Sequence, residues 1–275
     1  MTESAKPKRP LRIVLLRLAI LVVGFYAIIV ALAVLNEDWL VHMPGGPDSW
    51  STKPDESIVD VSIPLPDAKP IHGWWYPTTQ SGETHAILYF HGKGGNLSHR
   101  GRFVRDLASR SGSEILMIDF PGYGRSDGKL GEADCNAAAL AAYRWLLDEK
   151  KIPEQRITVL GESLGGGPAV ELAAKVPCGR LVLACTYTSI PEAAEHRFWW
   201  LPCRWLMHTK FENEKRLRDV TCPVIIVHGT NDETIPFSHG ERLFAAANEP
   251  KRFIRLEGRR HSDYATDEVI DELSP

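Results

Sequence analysis

The sequence predicts an α/β fold built on an eight-stranded, mostly parallel sheet that is flanked by helices. From residue 86 onward, short apolar runs alternate with stretches of helical length, a pattern typical of parallel strands that are buried on both faces. Ahead of them, two β-prone segments separated by a short turn predict an antiparallel hairpin. A long uncharged run near the N-terminus indicates one further helix that lies outside the sheet.

The eight strands can be assigned in chain order. The alternating segment Ser57–Pro66 and the segment Ile71–Tyr76 flank a turn at residues 67–70 and form the predicted hairpin. The six later strands are the apolar runs Ala86–Phe90, Ile115–Phe120, Ile157–Leu160, Leu181–Ala184, Val224–Val227 and Phe253–Leu256. The stretch Glu132–Lys150 predicts a helix, because apolar residues recur there at helical spacing, namely Ala137, Leu140, Tyr143 (or Arg144) and Leu147.

The N-terminal run predicts a membrane anchor. Leu18–Leu35 contains 18 residues without a charge, close to the minimum length of a helix that spans a bilayer. Residues 1–17 carry five basic residues and one acidic residue, which predicts a cytoplasmic N-terminus and a catalytic domain on the far, extracytoplasmic side. A cleaved signal peptide and a secreted chain are the alternative, since Ala31-Leu32-Ala33 resembles a cleavage site. The apolar run continues through that site, which favours the uncleaved anchor.

The remaining sequence predicts one domain. After the basic N-terminus (1–17) and the anchor (18–35), residues 36–55 are rich in Pro, Gly, Asp and Ser and predict an irregular connector. The domain itself is expected to occupy residues 56–275. The formal net charge is −3, and no basic stripe crosses the domain, so nucleic acid is not an expected partner. Nothing in the sequence indicates the oligomeric state.

The five cysteines indicate neither a metal site nor a redox motif. They lack C-x-x-C spacing, and most of them are expected to be small buried residues. If the domain faces an oxidising space, Cys185 or Cys203 is the expected member of a disulfide. No metal and no organic cofactor are predicted.

The stretch 157–166 carries the motif around which the chain is organised. An apolar strand runs directly into Gly161-Glu162-Ser163-Leu164-Gly165 and then into a small-residue helix. A G-x-S-x-G sequence in this context places the serine on a strained strand-to-helix turn, where a Cβ at either glycine would collide with neighbouring backbone. The helix N-terminus also favours a developing anion. Ser163 is therefore the predicted nucleophile.

Two further strand ends offer partners for this serine. Asp232 follows the seventh strand, and His261 follows the eighth. Parallel strands bring their carboxyl ends to one edge of a sheet, which is where α/β sheets bind ligands. The strained turn that carries Ser163 is a nucleophile elbow, hereafter the elbow. The order Ser, Asp, His, each after its own strand, is the order that accompanies such an elbow. His261 is thus the predicted general base and Asp232 the predicted orienting acid, with Glu233 as the alternative acid.

Two glycine-rich segments follow the third and fourth strands. The first, His91 to Asn96, predicts an oxyanion hole made by the backbone N–H groups of Lys93 and Leu164, with His91 in a structural role. The second, Gly122 to Gly128, lacks the spacing of a phosphate-binding loop and is expected to be a shaped turn, in which Arg125 anchors neighbouring loops.

The interval 187–219 is longer than a crossover helix needs to be and is unusually aromatic. One interpretation is a helix buried against the body, since aromatic side chains dominate cores. The other is a lid that offers an apolar wall to an acyl chain or to a bilayer surface. In the second case the candidate substrate-binding residues are Phe198, Trp199, Trp200 and Trp205.

From about residue 56 to the end, the chain resembles the α/β-hydrolase superfamily. More narrowly, three segments look like the membrane-anchored Bem46-like subgroup: residues 88–100 with His91-Gly92 and Gly95-Asn96, residues 122–128, and residues 161–166. The resemblance implies an α/β-hydrolase fold, an N-terminal membrane segment, and an insertion between the sixth and seventh strands. It also implies a serine hydrolase of esters or thioesters, often with lipid-like acyl groups.

Two segments depart from the subgroup pattern. Lys93 stands where the subgroup usually has Asn, which leaves a backbone N–H available for the oxyanion hole. Arg259 and Arg260 stand where small residues are common. Their charge is expected to lower the pKa of His261, to attract an anionic substrate, or simply to be solvated.

These observations together predict a membrane-anchored serine hydrolase that cleaves ester or thioester bonds of lipid-like acyl substrates through an acyl-enzyme. Two alternatives stay open. The first is a membrane-anchored interaction protein that keeps the fold without turnover, and the second is acyl transfer or peptide hydrolysis by the same three residues.

Overall fold

The predicted apolar runs pair side by side in one sheet. The computed structural model describes residues 11–51, 56–66, 68–78 and 84–274. The strands are β1 (Val59–Leu65), β2 (Ala68–Tyr76), β3 (Ala86–Phe90), β4 (Glu114–Ile118), β5 (Ile157–Glu162), β6 (Arg180–Ala184), β7 (Val224–Gly229) and β8 (Lys251–Leu256). Their order across the sheet is β1-β2-β4-β3-β5-β6-β7-β8.

The strand directions confirm a mostly parallel sheet. β1 pairs antiparallel with β2, and β2 pairs antiparallel with β4, whereas the other five neighbouring pairs are parallel. The hairpin is therefore confirmed, although β2 begins at Ala68 and takes in most of the predicted turn. Position 67 lies outside the described residues. The parallel strands bring the carboxyl ends of β3, β5, β7 and β8 to one edge of the sheet.

Helices cover both faces of the sheet. The helices are α1 (Leu11–Leu35), α2 (Glu37–His42), α3 (Gly101–Ser111), α4 (Glu132–Asp148), α5 (Gly166–Ala173), α6 (Ile190–Arg197), α7 (Cys203–Leu206), α8 (Asn213–Arg216), α9 (Phe237–Ala246) and α10 (Asp267–Glu272). One cluster of buried residues lies between the sheet and α4 and α5. A second lies between the sheet and the helices α3 and α10.

Helix α4 covers all but the last two residues of the predicted span, and three of the four predicted positions pack against the core, because Tyr143 is buried and Leu140 and Leu147 are partly buried there. Its buried residues are Cys135, Ala138, Ala139, Ala142, Tyr143 and Leu146, whereas Ala137 is exposed. The helix contains small apolar residues on several sides, so spacing alone does not decide which side packs.

The N-terminal helix α1 is a candidate membrane span. It has 25 residues, a mean hydropathy of 3.0 over its most apolar window, and no buried residue. A signal sequence near the N-terminus has the same length and composition, so the helix is a candidate by these two properties only. It includes the predicted anchor Leu18–Leu35, while residues 1–10 of the predicted basic segment lie outside the described residues.

The stretch after α1 is not the irregular connector that its composition predicts. It contains α2, and residues 42–46 pack against the glycine loop that follows β3. Pro44 forms a β-bridge with Gly95, the Gly45 N–H donates to the Gly95 carbonyl at 2.6 Å, and the Gly94 N–H donates to the His42 carbonyl at 3.2 Å. The proline and glycine residues here allow the two backbone segments to lie close together. The backbone N–H and C=O groups of each segment then find hydrogen-bond partners in the other.

Glu37 ties α2 to the segment that follows α7. Its carboxylate is buried, with 4% of the residue exposed, and accepts hydrogen bonds from the backbone N–H groups of His208 at 3.0 Å and Thr209 at 2.8 Å. The His208 ring adds an ion pair to the same carboxylate at 2.8 Å. A buried charge needs this degree of pairing to be tolerated.

Candidate active site

Ser163 occupies a strained turn at the end of β5. Its φ angle is +48°, in the left-handed region that residues with a Cβ rarely adopt. A Cβ added to Gly165 would collide with the carbonyl of Phe90 in β3, so the motif glycine lets the turn lie directly against the neighbouring strand. The predicted geometry of the turn is therefore present in the structure.

The structure brings together Ser163, Asp232 and His261. The Nε2 atom of His261 lies 2.9 Å from the Ser163 Oγ, and its Nδ1 atom lies 2.7 Å from an Asp232 carboxylate oxygen. Because the carboxylate can only accept, Nδ1 carries the proton and Nε2 is free to accept from the serine hydroxyl. The alternative acid Glu233 is exposed.

Asp232 sits in a dense set of donors. One carboxylate oxygen accepts the backbone N–H groups of Thr234 at 2.9 Å and Ile235 at 2.8 Å. Burial alone would raise the pKa of Asp232, but hydrogen bonds from His228 and His261 outweigh it and hold this pKa well below its usual value. The carboxylate therefore stays ionised and keeps the His261 ring oriented.

Sequence reasoning missed His228 as a partner of this carboxylate. Its Nε2 atom lies 3.3 Å from Asp232 and donates to the Ile235 carbonyl at 2.9 Å. The signal was its position four residues before Asp232, at the end of β7, where a buried imidazole points toward the same edge of the sheet.

The glycine loop after β3 approaches the elbow closely. A Cβ on Gly92 would lie 3.2 Å from the Ser163 Cβ, so this position brings loop backbone next to the serine. In the described part of the chain, the backbone N–H groups of Lys93 and Leu164 donate to no other residue. The Lys93 side chain is only partly in solvent, so desolvation of its ammonium, together with the nearby Arg197, lowers the pKa of Lys93.

Asp119, at the end of β4, organises the two glycine-rich segments. Its carboxylate accepts the backbone N–H of Leu97 at 2.8 Å and lies 3.6 Å from the Nε2 atom of His91. Burial would raise the pKa of Asp119, but the His72 and His91 rings lower it to about 2. His91 is itself buried, consistent with its predicted structural role.

The turn at 122–128 is anchored through Arg125. The Arg125 guanidinium lies 4.1 Å from the centre of the Trp50 ring and 3.9 Å from the Asp60 carboxylate. Both partners belong to other segments of the chain, so Arg125 joins neighbouring loops through a cation–π contact and a long ion pair.

A buried polar network adjoins the nucleophile. The Glu162 carboxylate accepts hydrogen bonds from the Tyr89 hydroxyl and from Nε of Arg100, the latter at 3.3 Å. The Tyr89 hydroxyl lies 3.1 Å from the hydroxyl of Tyr264, three residues after His261. Burial would raise the pKa of Glu162, but Arg100 and the Tyr89 hydroxyl lower it. Strand β3, the residue before α3 and the loop that carries His261 are therefore linked through one ionised carboxylate, that of Glu162.

Backbone hydrogen bonds, and not the charges of its two arginines, hold the loop that carries His261 in place. The side chains of Arg259 and Arg260 are exposed. The Arg259 carbonyl accepts the Asn231 N–H at 3.0 Å, and the Arg260 N–H donates to the Asp263 carboxylate at 3.1 Å. These contacts fix the loop beside the segment that carries Asp232.

The aromatic residues at positions 198–205 of the insertion are not core residues, whereas Tyr187 and Phe211 at its two ends are buried in the core. Trp199 and Trp205 are 83% and 89% exposed, and Phe198 and Trp200 are about two-fifths exposed. Trp200 instead contacts the candidate membrane helix, because its ring packs edge-on against Tyr26 at 6.3 Å between centroids. The interpretation as a helix buried against the body therefore does not hold for positions 198–205, although Ile190 and Ala193 of α6 pack against the core.

The cysteines are arranged differently from the sequence-based expectation. Cys185 is buried next to the site, and its Sγ, an Asp232 oxygen and a His261 ring nitrogen all lie within 4.8 Å of one another. Burial raises the pKa of Cys185 to about 12, so it is a neutral thiol packed against the carboxylate and imidazole. The close thiol pair is instead Cys178 and Cys222, whose Sγ atoms are 3.3 Å apart.

Comparisons with known proteins agree with this architecture. Residues 85–221 match the family profile of the alpha/beta hydrolase fold. The uncharacterized protein Rv2307c of Mycobacterium tuberculosis is 35% identical over 204 residues, which cover 74% of this chain and 72% of that protein. The human alpha/beta hydrolase domain-containing protein 17B is 32% identical over 179 residues, 65% of this chain and 61% of that protein.

Solved structures show the same fold. An esterase of Pyrococcus furiosus has a TM-score of 0.65 at 19% identity, over 78% of this chain and 88% of the esterase. The esterase domain of a Rhodothermus marinus protein has a TM-score of 0.60 at 19% identity, over 78% of this chain and 96% of that domain. The matching profile, the curated relatives and the eight-stranded sheet lead to one conclusion: the chain belongs to the α/β-hydrolase superfamily.

Proposed function

We propose that the protein is a serine hydrolase that cleaves carboxylic ester or thioester bonds of lipid-like acyl substrates. The observation that carries the proposal is the continuous hydrogen-bonded chain from the Ser163 hydroxyl through His261 to Asp232, on a strained turn. A serine needs such a base and such an orienting carboxylate to become nucleophilic near neutral pH. The esterase names of the two solved relatives agree with this reaction class.

The proposed mechanism follows from these positions. His261 Nε2 takes the proton as the Ser163 oxygen attacks the substrate carbonyl, and Asp232 stabilises the imidazolium that forms. His261 then returns the proton to the leaving alcohol or thiol, which leaves an acyl-enzyme on Ser163. Water, activated by the same imidazole, releases the acid and restores the serine.

The oxyanion of the tetrahedral intermediate is assigned to two backbone donors. The N–H groups of Lys93 and Leu164 are unused within the described residues, and Gly92 brings the first of them close to the serine. Fixed backbone donors of this kind stabilise the transition state without reorganisation. The Lys93 side chain then needs no part in the hole, which accounts for the departure from Asn at this position.

The setting of the site favours a membrane-associated substrate. We assign α1 as an uncleaved anchor, with residues 1–17 cytoplasmic and the domain (56–275) on the far side, as the basic N-terminal flank predicts. An N-terminal membrane segment is also a feature of the Bem46-like subgroup that the motifs resemble. The insertion 187–219 is proposed as a lid, with Phe198, Trp199, Trp200 and Trp205 as its apolar surface. Its apolar character suits an acyl chain or a bilayer surface better than a charged leaving group.

Activity-based labelling tests the proposal. A fluorophosphonate probe should label the full-length protein, and p-nitrophenyl esters from C2 to C16 should be hydrolysed with a preference for the longer chains. The Ser163→Ala variant should lose both labelling and turnover by at least about a thousandfold, as expected when a nucleophile of this kind is removed.

Ser262→Ala is the matched control, because that hydroxyl lies one residue from His261 but outside the hydrogen-bonded chain. It should keep labelling and turnover near those of the unaltered protein. Ester turnover that survives in Ser163→Ala would overturn the assignment of the nucleophile. A folded protein that neither labels nor hydrolyses any ester would favour an interaction protein of the same fold.

A further inference from the structure

An aromatic tip projects from the insertion, and we define it as residues 198–206. Its two most prominent side chains, Trp199 and Trp205, are 83% and 89% exposed. Soluble proteins rarely leave several large aromatic side chains together in water, and such patches usually mark an interaction surface. The exposure of these side chains therefore indicates that the tip binds a partner.

The partner is indicated by a direct contact between the tip and α1. The Tyr26 hydroxyl donates to the Trp200 carbonyl at 3.0 Å, and the two rings pack edge-on. Tyr26 lies on the candidate membrane span, nine residues before its last residue, Leu35. The tip is thus docked alongside the helix itself and not merely near its end.

The length of α1 fixes the depth of this contact. A helix of 25 residues is about 37 Å long, and a hydrocarbon core of about 30 Å takes up about 20 of its residues. Every window of that length within Leu11–Leu35 contains Tyr26. At about 1.5 Å per residue, Tyr26 then lies about 6 to 14 Å inside the far boundary of the core. A segment bonded to Tyr26 must reach the same leaflet.

Part of the backbone of the tip is hydrogen-bonded within the protein, whereas the N–H groups of Trp199 and Trp200 have no partner among the described residues. A spanning or inserted segment must satisfy its own backbone groups, since the hydrocarbon offers no partners. Tyr26 satisfies the Trp200 carbonyl, while the Leu201 N–H donates to Phe198 at 2.8 Å and the Trp205 N–H donates to Pro202 at 3.0 Å. The chain at the tip is therefore folded back on itself and not extended into solvent.

The charges near the tip are paired or placed at its base. Arg204 forms ion pairs with Glu195 at 2.7 Å and Glu192 at 3.0 Å. Arg197 is exposed at the last residue of α6, directly before Phe198. Its long side chain can extend to lipid headgroups, while tryptophan rings prefer the boundary between headgroups and acyl chains.

We propose that the aromatic tip inserts into the far leaflet of the bilayer that α1 spans, with Trp199 and Trp205 as its lipid contacts. This inference rests on the proposed membrane span and is independent of the proposed hydrolase activity. The tip is then a second membrane attachment that fixes the orientation of the domain on the bilayer.

Tryptophan quenching in vesicles tests the insertion. The full-length protein is reconstituted in phosphatidylcholine vesicles with or without brominated acyl chains, which quench only tryptophans that reach the hydrocarbon. In the double variant Trp199→Phe and Trp205→Phe, the quenched fraction should fall by about half. Trp200, which packs on Tyr26, and Trp39, exposed just beyond α1, supply the quenching that remains.

The matched control is Trp145→Phe, because Trp145 packs against Trp75 within the body of the domain at 5.5 Å. Its removal should leave the brominated-lipid quenching unchanged. The proposal is overturned if the double variant is quenched as strongly as the unaltered protein, or if aqueous iodide quenches Trp199 and Trp205 in the vesicles.

Two further outcomes would also contradict it. Crosslinking of the tip to a second copy, in proportion to protein density in the vesicles, would identify a protein interface instead. Release of the full-length protein by alkaline carbonate would show that α1 does not span. Loss of fluorophosphonate labelling would leave the quenching result untouched, so the two proposals fail separately.

Discussion

The hydroxyl oxygens of Tyr89 and Tyr264 lie 3.1 Å apart and join the strand beside the elbow to the loop that carries His261. Tyr89 also donates to Glu162, the residue before Ser163. The nucleophile and its base are therefore held relative to each other by side chains as well as by the sheet. The network takes no direct part in the proton transfers of the proposed mechanism.

Tyr264→Phe should slow turnover with little effect on substrate binding. Losing one buried hydrogen bond costs about 1 kcal/mol, and a comparable loss of His261 positioning lowers kcat about fivefold while KM stays constant. Tyr143→Phe is the control, because it removes a hydroxyl bonded to Pro177 at 2.5 Å in another part of the fold. Equal effects of both variants on kcat would argue against a positioning role for Tyr264.

Gly165→Ala should destabilise the protein and abolish ester turnover. The added Cβ would meet the carbonyl of Phe90, and backbone in β3 cannot give way without breaking the sheet. The expected loss is on the order of 3 kcal/mol, measured as the shift in the urea midpoint in detergent. Gly46→Ala is the control, since a Cβ there meets nothing within 4 Å. A stable, active Gly165→Ala protein would contradict the close approach.

Stability should fall as the pH is lowered, in part through His239. Burial lowers the pKa of His239 to about 4, whereas an unfolded histidine has a pKa of about 6.5. The unfolded state therefore binds a proton first, and the stability that neutral His239 contributes above pH 6.5 is lost between pH 6.5 and 4. We expect a loss of about 1 to 3 kcal/mol.

His239→Gln should flatten this acid limb in thermal unfolding measured from pH 4 to 8. His208→Gln is an informative comparison with the opposite sign. Partial burial opposes the effect, but Asp38 and Glu37 raise the pKa of His208, so its contribution is present below pH 6.5 and fades as the pH rises. Identical pH profiles for the unaltered protein and His239→Gln would rule out this source of acid sensitivity.

Truncations should separate membrane attachment from activity. A chain that begins at Asn36 keeps the contacts of His42, Pro44 and Gly45 with the glycine loop and should keep its kcat on a short soluble ester. A chain that begins at Glu56 loses them, and its kcat should fall at least about tenfold, as expected when an oxyanion donor is misplaced. Equal activity of the two folded chains would show that residues 42–46 do not support the loop.

Cys178 and Cys222 should form the disulfide if the domain meets an oxidising solution. Their Sγ atoms are 3.3 Å apart, and oxidised glutathione would accept the two electrons and two protons that the thiols release. Peptide mapping of oxidised protein should find this pair joined, with Cys185 and Cys203 still reactive after unfolding. A bridge to Cys185 or Cys203 would contradict the arrangement described above.

The sequence predicted the fold and the positions of the main candidate residues because their signals are local. Ser163 directly follows an apolar strand, Asp232 and His261 lie in the loops after two others, and the parallel sheet then brings them to one edge. The roles proposed for them stay predictions until turnover is measured. Lys93 and Leu164 were predicted on the same basis, since each belongs to a glycine-rich turn next to a strand.

Other features depend on partners that are remote in sequence. Glu37 looks like a solvent-exposed residue after an anchor until His208 and Thr209 fold back over it. The roles of Tyr264 and Asp119 likewise depend on remote partners, because Tyr264 contacts Tyr89 and Asp119 accepts from Leu97. The exposure of Ala137 could not be predicted either, because alanines on several sides of α4 make spacing ambiguous.

The contact between residues 42–46 and the glycine loop also sets a distance. Six residues separate Leu35, the last residue of α1, from His42, whose carbonyl binds the loop. With α1 in a membrane, the candidate serine cannot swing away on a flexible tether and works at a constant height above the lipid. Selection among substrates then depends on how far each scissile bond emerges from the bilayer.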